Sequence, residues 1–319
     1  MKVFKCKCLL NNDYYALKEI PKLKLTDYKE IFCHLNEPSI LKKLNNYTFI
    51  QKIISSFQDF DNLYLVTNYY EGNNLYYYKD DIFTEEQLKF ISACIIQFFI
   101  NLREKNIIHR DIRMNNIIMD KDKYLNLLDF SYAIYYSEKN DFKNYIRGNY
   151  FDNAPEIQNF SIYDYNSDYY RLGGSILYYL IFKKYLNKVK IEKNIVEIKI
   201  NYKNITNYTS SCIDFLNKLI TTDHKKRIGY NNIDELRNHS WFNNFDWNNL
   251  ANKKMKSPLI FKKTNFNQSE CNKFDFTSEN KIKYKTINKK HIYKKLIENY
   301  NYVDYQIINN ILNLYKNIS

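Results

Sequence analysis

Glycine, proline and tryptophan are scarce in this 319-residue chain, at 5, 4 and 2 residues. Asn, Lys, Ile, Tyr and Phe are abundant instead. AT-rich codons specify that set, so the net charge of +13 is read as a product of base composition rather than of a polyanion-binding role. The basic residues are scattered and no Arg-rich run occurs, so nucleic-acid binding is not expected. The six cysteines (Cys6, Cys8, Cys33, Cys94, Cys212 and Cys271) contain no C-x2-C pair, and no His cluster completes a zinc pattern. Reduced cytosolic thiols are the better reading. The N-terminus lacks an apolar core followed by small residues, which argues against a secretory signal. The longest apolar runs, Phe90 to Leu102 and Leu172 to Phe182, are too short to span a bilayer and suit buried helices. A cytoplasmic protein without a membrane span is therefore expected. Its length suits one large two-lobed domain or two ordinary ones.

What the chain does contain is concentrated between Ile107 and Phe130. Apolar runs at Ile107-Ile108, Ile117 to Met119 and Leu125 to Leu128 read as strand, polar loop, strand, turn, strand. A polar loop between buried strands is where a scaffold holds catalytic groups. The loop carries His109-Arg110-Asp111, Arg113 and Asn116, and Asp129-Phe130 follows. HRD-x4-N followed by DF at this interval resembles the catalytic loop and metal-binding turn of protein kinases. The resemblance implies an α+β, two-lobed fold with a small β-rich N-lobe and a larger helical C-lobe. It further implies ATP and Mg²⁺ as cofactors and a protein substrate.

Other stretches extend the resemblance in order along the chain. Residues 1–20 read as strand, turn at Asn11-Asn12-Asp13, and strand. The second strand holds Tyr15-Ala16-Leu17-Lys18, similar to the family's VAIK, whose lysine holds α- and β-phosphates. Asp27 to Leu44 has helical periodicity. Within it, Leu35-Asn36-Glu37 with Ile40-Leu41 resembles the helix whose glutamate pairs with that lysine in AGC-group kinases, closest to the cAMP- and cGMP-dependent enzymes. Pro38 removes a backbone donor just after Glu37, so a kink is expected there. Asn62 to Gly72 resembles the last N-lobe strand and hinge. That makes Thr67 the gatekeeper and gives the backbone of Asn68 and Tyr70 to adenine. Val3 and Ala16 would cover adenine from above, with Leu75 and Ile118 below. Leu41, Ile53, His109 and Phe130 would form a spine. Thr84 to Gln87 has capping-box spacing before a buried helical face.

Toward the C-terminus, a Tyr-, Asn- and Lys-rich segment fits an activation loop closed by Ala154-Pro155-Glu156. Arg110 faces a phosphorylated residue of this loop in the family, and Tyr145 is the best-aligned acceptor. Asp168 matches the aspartate that braces the catalytic-loop backbone. Arg227 matches the arginine that pairs with Glu156. Asn238 to Phe242 resembles the closing H-x-W-F. Ser257 to Lys262 and Phe274-Asp275-Phe276 resemble the AGC C-terminal tail. The implied division is 1–72 N-lobe, 73–250 C-lobe, 251–279 tail and 280–319 basic extension, with an amphipathic helix around Tyr302 to Leu314.

By this resemblance Asp111 orients the substrate hydroxyl and accepts its proton, Arg113 stands near the γ-phosphate, and Lys18 is fixed by Glu37. Asn116 and Asp129 hold Mg²⁺ and Asp129 completes the nucleotide site. Four departures stand against it. No G-x-G-x-x-G precedes Val3, which reads as an N-terminal truncation or, as the alternative, as a protein lacking this phosphate clamp. DFG becomes Asp129-Phe130-Ser131, losing glycine's freedom at positive φ. Asn149 replaces the usual Thr. Asn74, Asn115, Phe151 and Tyr178 stand where arginine-directed members carry acids. The expected activity is a serine/threonine kinase. A pseudokinase acting as a nucleotide- or protein-binding module is the alternative, with a regulatory subunit or a missing N-terminal regulatory region as a further partner.

Overall fold

The computed structural model describes residues 2–9, 11–25, 28–142, 145, 152–186, 188–191, 194–198, 207–260, 262, 300 and 302–303. In chain order the first elements are β1 (Lys2–Lys7), β2 (Tyr14–Pro21), α1 (Tyr28–Leu44), β3 (Ile53–Gln58), β4 (Asn62–Asn68), α2 (Glu85–Glu104), β5 (Ile107–Ile108), β6 (Ile117–Met119), β7 (Leu125–Leu127) and β8 (Ile134–Tyr135). Then come α3 (Pro155–Phe160), α4 (Tyr165–Arg171), α5 (Tyr178–Phe182), β9 (Lys188–Ile191), β10 (Asn194–Ile198), α6 (Ser210–Leu219), α7 (Asp234–Arg237), α8 (Trp247–Ala251) and β11 (Tyr302–Val303). The chain divides into two compact units, one of residues 1–45, 51–69 and 265–319, the other of residues 46–50 and 70–264.

The first unit is an antiparallel sheet in the order β1-β2-β4-β3-β11. The β1–β2 turn closes through Cys8 N to Asp13 O at 2.8 Å, with Asn12 at φ +61°. Asn tolerates that left-handed conformation better than most residues. Register sets Lys18 opposite Val3 and Leu65, and Ala16 opposite Lys5 and Thr67. Helix α1 packs on β3 and buries Cys33, Glu37, Ile40, Leu41 and Leu44 at helical spacing. It runs unbroken through Pro38 from Tyr28 to Leu44. The missing donor at Pro38 does not end the helix, because the buried face outweighs it.

Strand β11 adds to the β3 edge, Tyr302 opposite Ser56 and Val303 opposite Ser55. These two residues are strand, so the helix expected around Tyr302 does not start there. Residues 304–319 lie outside the described residues. Just before β11, Tyr300 is 1% exposed and packs with Ile20 and Leu63, flanked by Leu25 and Leu35. Ser56 Oγ donates to the Tyr300 carbonyl.

The second unit is mainly helical. α2 begins with the expected box: Thr84 Oγ1 accepts from Gln87 N at 3.2 Å, and Gln87 Oε1 accepts from Thr84 N at 2.9 Å. Its apolar residues from Leu88 to Leu102, except the half-buried Ile100, are buried, and it contacts β5, β7, α4 and α8. Pairing of β5 with β8 and of β6 with β7 fixes the strand–loop–strand segment. Between α4 and α5 the helix widens into π-helical turns over Leu172–Leu177. Gly173 lies there, and a Cβ on it would meet Leu219 Cβ at 2.7 Å. The chain after α8 follows the same unit. Gln87 Nε2 donates to Pro258 O at 3.1 Å and Asn73 Nδ2 to Lys262 O at 3.0 Å. Phe274-Asp275-Phe276 lies outside the described residues.

Candidate active site

Two polar clusters hold the residues singled out by sequence, one in each unit. In the first unit, Lys18 Nζ lies 2.9 Å from both Glu37 Oε1 and Oε2. Glu37 is fully buried and Lys18 is 8% exposed. A carboxylate on the apolar face of a helix is costly unless paired, and the two-pronged contact supplies the pair. Thr67 is buried, its Oγ1 accepting from Gln51 Nε2 at 2.7 Å. Asn68 uses its own N–H on Lys52 O at 3.1 Å and accepts from Lys52 N through its side chain at 2.7 Å. Val3 is 62% exposed and Ala16 half-buried.

The second cluster grows from the β5–β6 loop. Arg110 takes φ +68°, and both amides entering the loop point at one carboxylate. His109 N and Arg110 N donate to Asp168 at 2.8 and 3.0 Å. Asp168 thus braces the loop from the start of α4. His109 is fully buried. Its Nδ1 accepts from Asp111 N at 3.2 Å and its Nε2 faces Leu128 O at 3.2 Å, so the neutral Nε2–H tautomer satisfies both. Burial pushes the imidazole down to about 4, against the opposing pull of Asp111 and Asp129. The His109 ring meets Phe130 edge-on at 4.8 Å, and Phe130 is fully buried.

Asp111 is 2% exposed. Asn116 Nδ2 donates to its Oδ2 at 2.7 Å and to its carbonyl at 2.9 Å. Arg113 Nε lies 3.1 Å from the same Oδ2 as an ion pair without an aligned hydrogen bond, and the Arg113 side chain is 42% exposed. Leu128 N donates to Asn116 O at 2.8 Å, tying the turn that carries Asp129 to the loop. Asp129 itself is at φ +58°, and its Oδ1 accepts from Ser131 Oγ at 2.7 Å. Positive φ therefore falls on the aspartate. Ser131 is not among the left-handed residues, so replacing glycine there costs no backbone strain. Ile118 lies in β6 beside Asn74, while Leu75 is buried next to it.

Around these residues the unit is braced by a second buried ion pair. Arg227 grips Glu156 with two parallel contacts of 2.7 and 2.8 Å, and Ser167 Oγ adds a third at 2.9 Å. Burial opposes ionisation of Glu156, but the Arg227 guanidinium outweighs it and holds the carboxyl below its ordinary value. Arg110 is buried among Phe142, Tyr145 and Tyr163, with centroids 4.9, 5.8 and 4.5 Å from its guanidinium. Its Nη2 donates to Tyr145 O at 3.0 Å. Arg147, Gly148, Asn149 and Phe151 lie outside the described residues.

The sequence reading missed one participant. Arg171, at the end of α4, is 1% exposed and its Nη1 lies 3.5 Å from Asp111 Oδ1. The available signal was an arginine set between Tyr170 and Leu172 in a run that otherwise reads as core. Two of the positions expected to lack acids have structural duties. Asn74 Oδ1 caps a short helix by accepting from Tyr77 N at 3.1 Å, and Tyr178 is buried in a stack on Phe182 at 4.4 Å.

A small antiparallel sheet unit with a Lys–Glu pair, and a helical unit with an HRD-x4-N loop braced by a buried aspartate, define the class. The protein kinase domain family matches residues 1–242, and the chain belongs to that family, with its two-lobed α+β fold. Among curated relatives, a probable serine/threonine-protein kinase of Dictyostelium discoideum is 29% identical over 264 residues, covering 81% of this chain and 57% of the relative. The cAMP-dependent protein kinase catalytic subunit of Schizosaccharomyces pombe is 29% identical over 259 residues, covering 78% and 49%. The serine/threonine-protein kinase Sgk1 of Xenopus tropicalis is 29% identical over 265 residues, covering 81% and 63%. The last two are AGC-type kinases. The chain spans between about half and three fifths of the length of these relatives. Among the described residues no helix is long and apolar enough to cross a membrane.

Proposed function

We propose that the chain is an ATP-dependent serine/threonine protein kinase that transfers the γ-phosphate to a protein hydroxyl. The reading rests on one observation above the rest. The Lys18–Glu37 pair and the Asp111–Asn116 pair are both present, buried and hydrogen-bonded. Phosphoryl transfer asks a protein chiefly for positioning and charge compensation. Asp111, on a loop braced by Asp168, orients the hydroxyl and accepts its proton. Lys18, fixed by Glu37, meets α/β-phosphate oxygens. Arg113, half-exposed, turns to the γ-phosphate. Val3, Ala16 and Ile118 cover adenine, Thr67 is the gatekeeper, and the Asn68 and Tyr70 backbone reads the base edge.

The donor set suits Mg²⁺. Asn116 spends its nitrogen on Asp111, which leaves its amide oxygen as the donor, and Asp129 brings a carboxylate. Hard cations take oxygen ligands of this kind. When bound, the ion neutralises charge on the phosphate oxygens. The free thiols of Cys8, Cys94 and Cys212 suit a reducing, cytoplasmic setting.

Incubation with γ-labelled ATP, Mg²⁺ and a mixed protein substrate tests the assignment. Label is expected on serine and threonine. Lys18→Met and Asp129→Asn are each expected to cut the rate about 100-fold or more. A second reading, a nucleotide-binding pseudokinase, is favoured by the Ser131 hydroxyl, which donates to the Asp129 carboxylate. It predicts a Mg²⁺-ATP-dependent rise in unfolding temperature with no label transferred.

A further inference from the structure

We propose that Arg171 is a positioning residue for phosphoryl transfer, locking the Asp111 carboxylate and tying it to the segment that enters α3. The proposal rests on the kinase reading above and goes beyond it. A guanidinium at 1% exposure has no water to solvate it, so its partners state its purpose. Nη1 lies 3.5 Å from Asp111 Oδ1, and Nη2 donates to Asn153 Oδ1. Asn153 is fully buried and immediately precedes Ala154-Pro155-Glu156. Nε finds no hydrogen-bond partner among the described residues, so the side chain is held for these two contacts rather than for its own solvation.

The two oxygens of Asp111 are thereby divided. Oδ2 takes Asn116 at 2.7 Å and has Arg113 at 3.1 Å, while Oδ1 has Arg171. Arg113 is 42% exposed and Arg171 is not. Arg113 can leave for a phosphate while the carboxylate keeps one cation and its orientation. An arginine suits this task because its planar fork reaches two acceptors at once, whereas a lysine offers a single point charge. Asn153 extends the hold to the chain leading into α3, which Arg227 anchors through Glu156.

The test is a double-mutant cycle of Arg171→Met and Asp111→Asn, read both by denaturant unfolding and by steady-state phosphorylation. Arg171→Met is expected to lower kcat about tenfold or more, with KM for ATP within about twofold of wild type. Arg171→Lys is expected to recover part of that loss. In the Asp111→Asn background, Arg171→Met is expected to lower kcat no further, and the two substitutions are expected to couple in stability. Should Arg171→Met fail to fold, Arg171→Lys paired with Asn153→Ala carries the same comparison. Wild-type kcat in the Arg171 variants, or losses in kcat and stability that simply add to those of Asp111→Asn, would overturn the proposal. Coupling in stability with no transfer by the wild type would retain the Arg171–Asp111 pair and reject the kinase reading instead.

Discussion

His109 and Asp168 meet at one turn of backbone and drive stability in opposite directions with pH. Burial lowers His109 from 6.5 to about 4, so below 6.5 the unfolded chain takes a proton that the folded chain refuses. Its contribution is present above 6.5 and lost as pH falls toward 4. Burial raises Asp168 from 3.8 to about 6, against Arg171 and the two loop amides. Its contribution is present below 3.8 and lost as pH rises through 6. At about 1.4 kcal/mol per unit, each is worth about 3 kcal/mol, and they offset across the same window. His109→Phe removes one side of that balance. Urea unfolding at pH 7 and pH 4 is expected to show the variant gaining about 3 kcal/mol on the wild type over that range. A difference independent of pH would mean that His109 protonates as readily folded as unfolded.

At the scale of elements, the second unit depends on contacts between residues far apart in sequence. Arg227 and Glu156 are both buried, so removing one partner leaves an unpaired charge. Arg227→Met is expected to cost about 3–5 kcal/mol in a denaturant titration, and a loss below about 1 kcal/mol would contradict the reading. Gly173→Ala is expected to destabilise by about 1–3 kcal/mol, since its Cβ would collide with Leu219 Cβ at 2.7 Å. A shifted unfolding midpoint would show it. The same elements explain what could be read in advance. Strand runs, the Thr84–Gln87 box and the helical period of α1 are local patterns, whereas Glu37 was placed by resemblance. Arg227–Glu156 and Asp168 could be placed only through resemblance to a family. Arg171 escaped both routes. Helix periodicity marks an arginine as a surface residue, and its partner Asp111 is 60 residues away. Pro38 does not end α1, because packing of the buried face carries the helix past one missing donor.

For the molecule as a whole, Tyr300, far along the sequence, belongs to the core of the first unit. Tyr300 fills a site on Ile20 and Leu63, and β11 extends the sheet. No periodicity announces such a contact, since Lys-, Asn- and Tyr-rich composition hides one buried ring among many exposed ones. Tyr300→Ala is expected to lower stability by about 3 kcal/mol. Tyr300→Phe is expected to be neutral or stabilising, because the buried hydroxyl has no hydrogen-bond partner among the described residues. Equal losses from both variants, measured by thermal unfolding, would contradict this placement. The central claim concerns Asp111, held by Asn116, by Arg171 and by a loop braced on Asp168. Its most direct test is the initial rate of phosphate transfer from Mg²⁺-ATP by the wild type beside Asp111→Asn. The account predicts a loss of about 100-fold or more in the variant. Equal rates from the two proteins would contradict it.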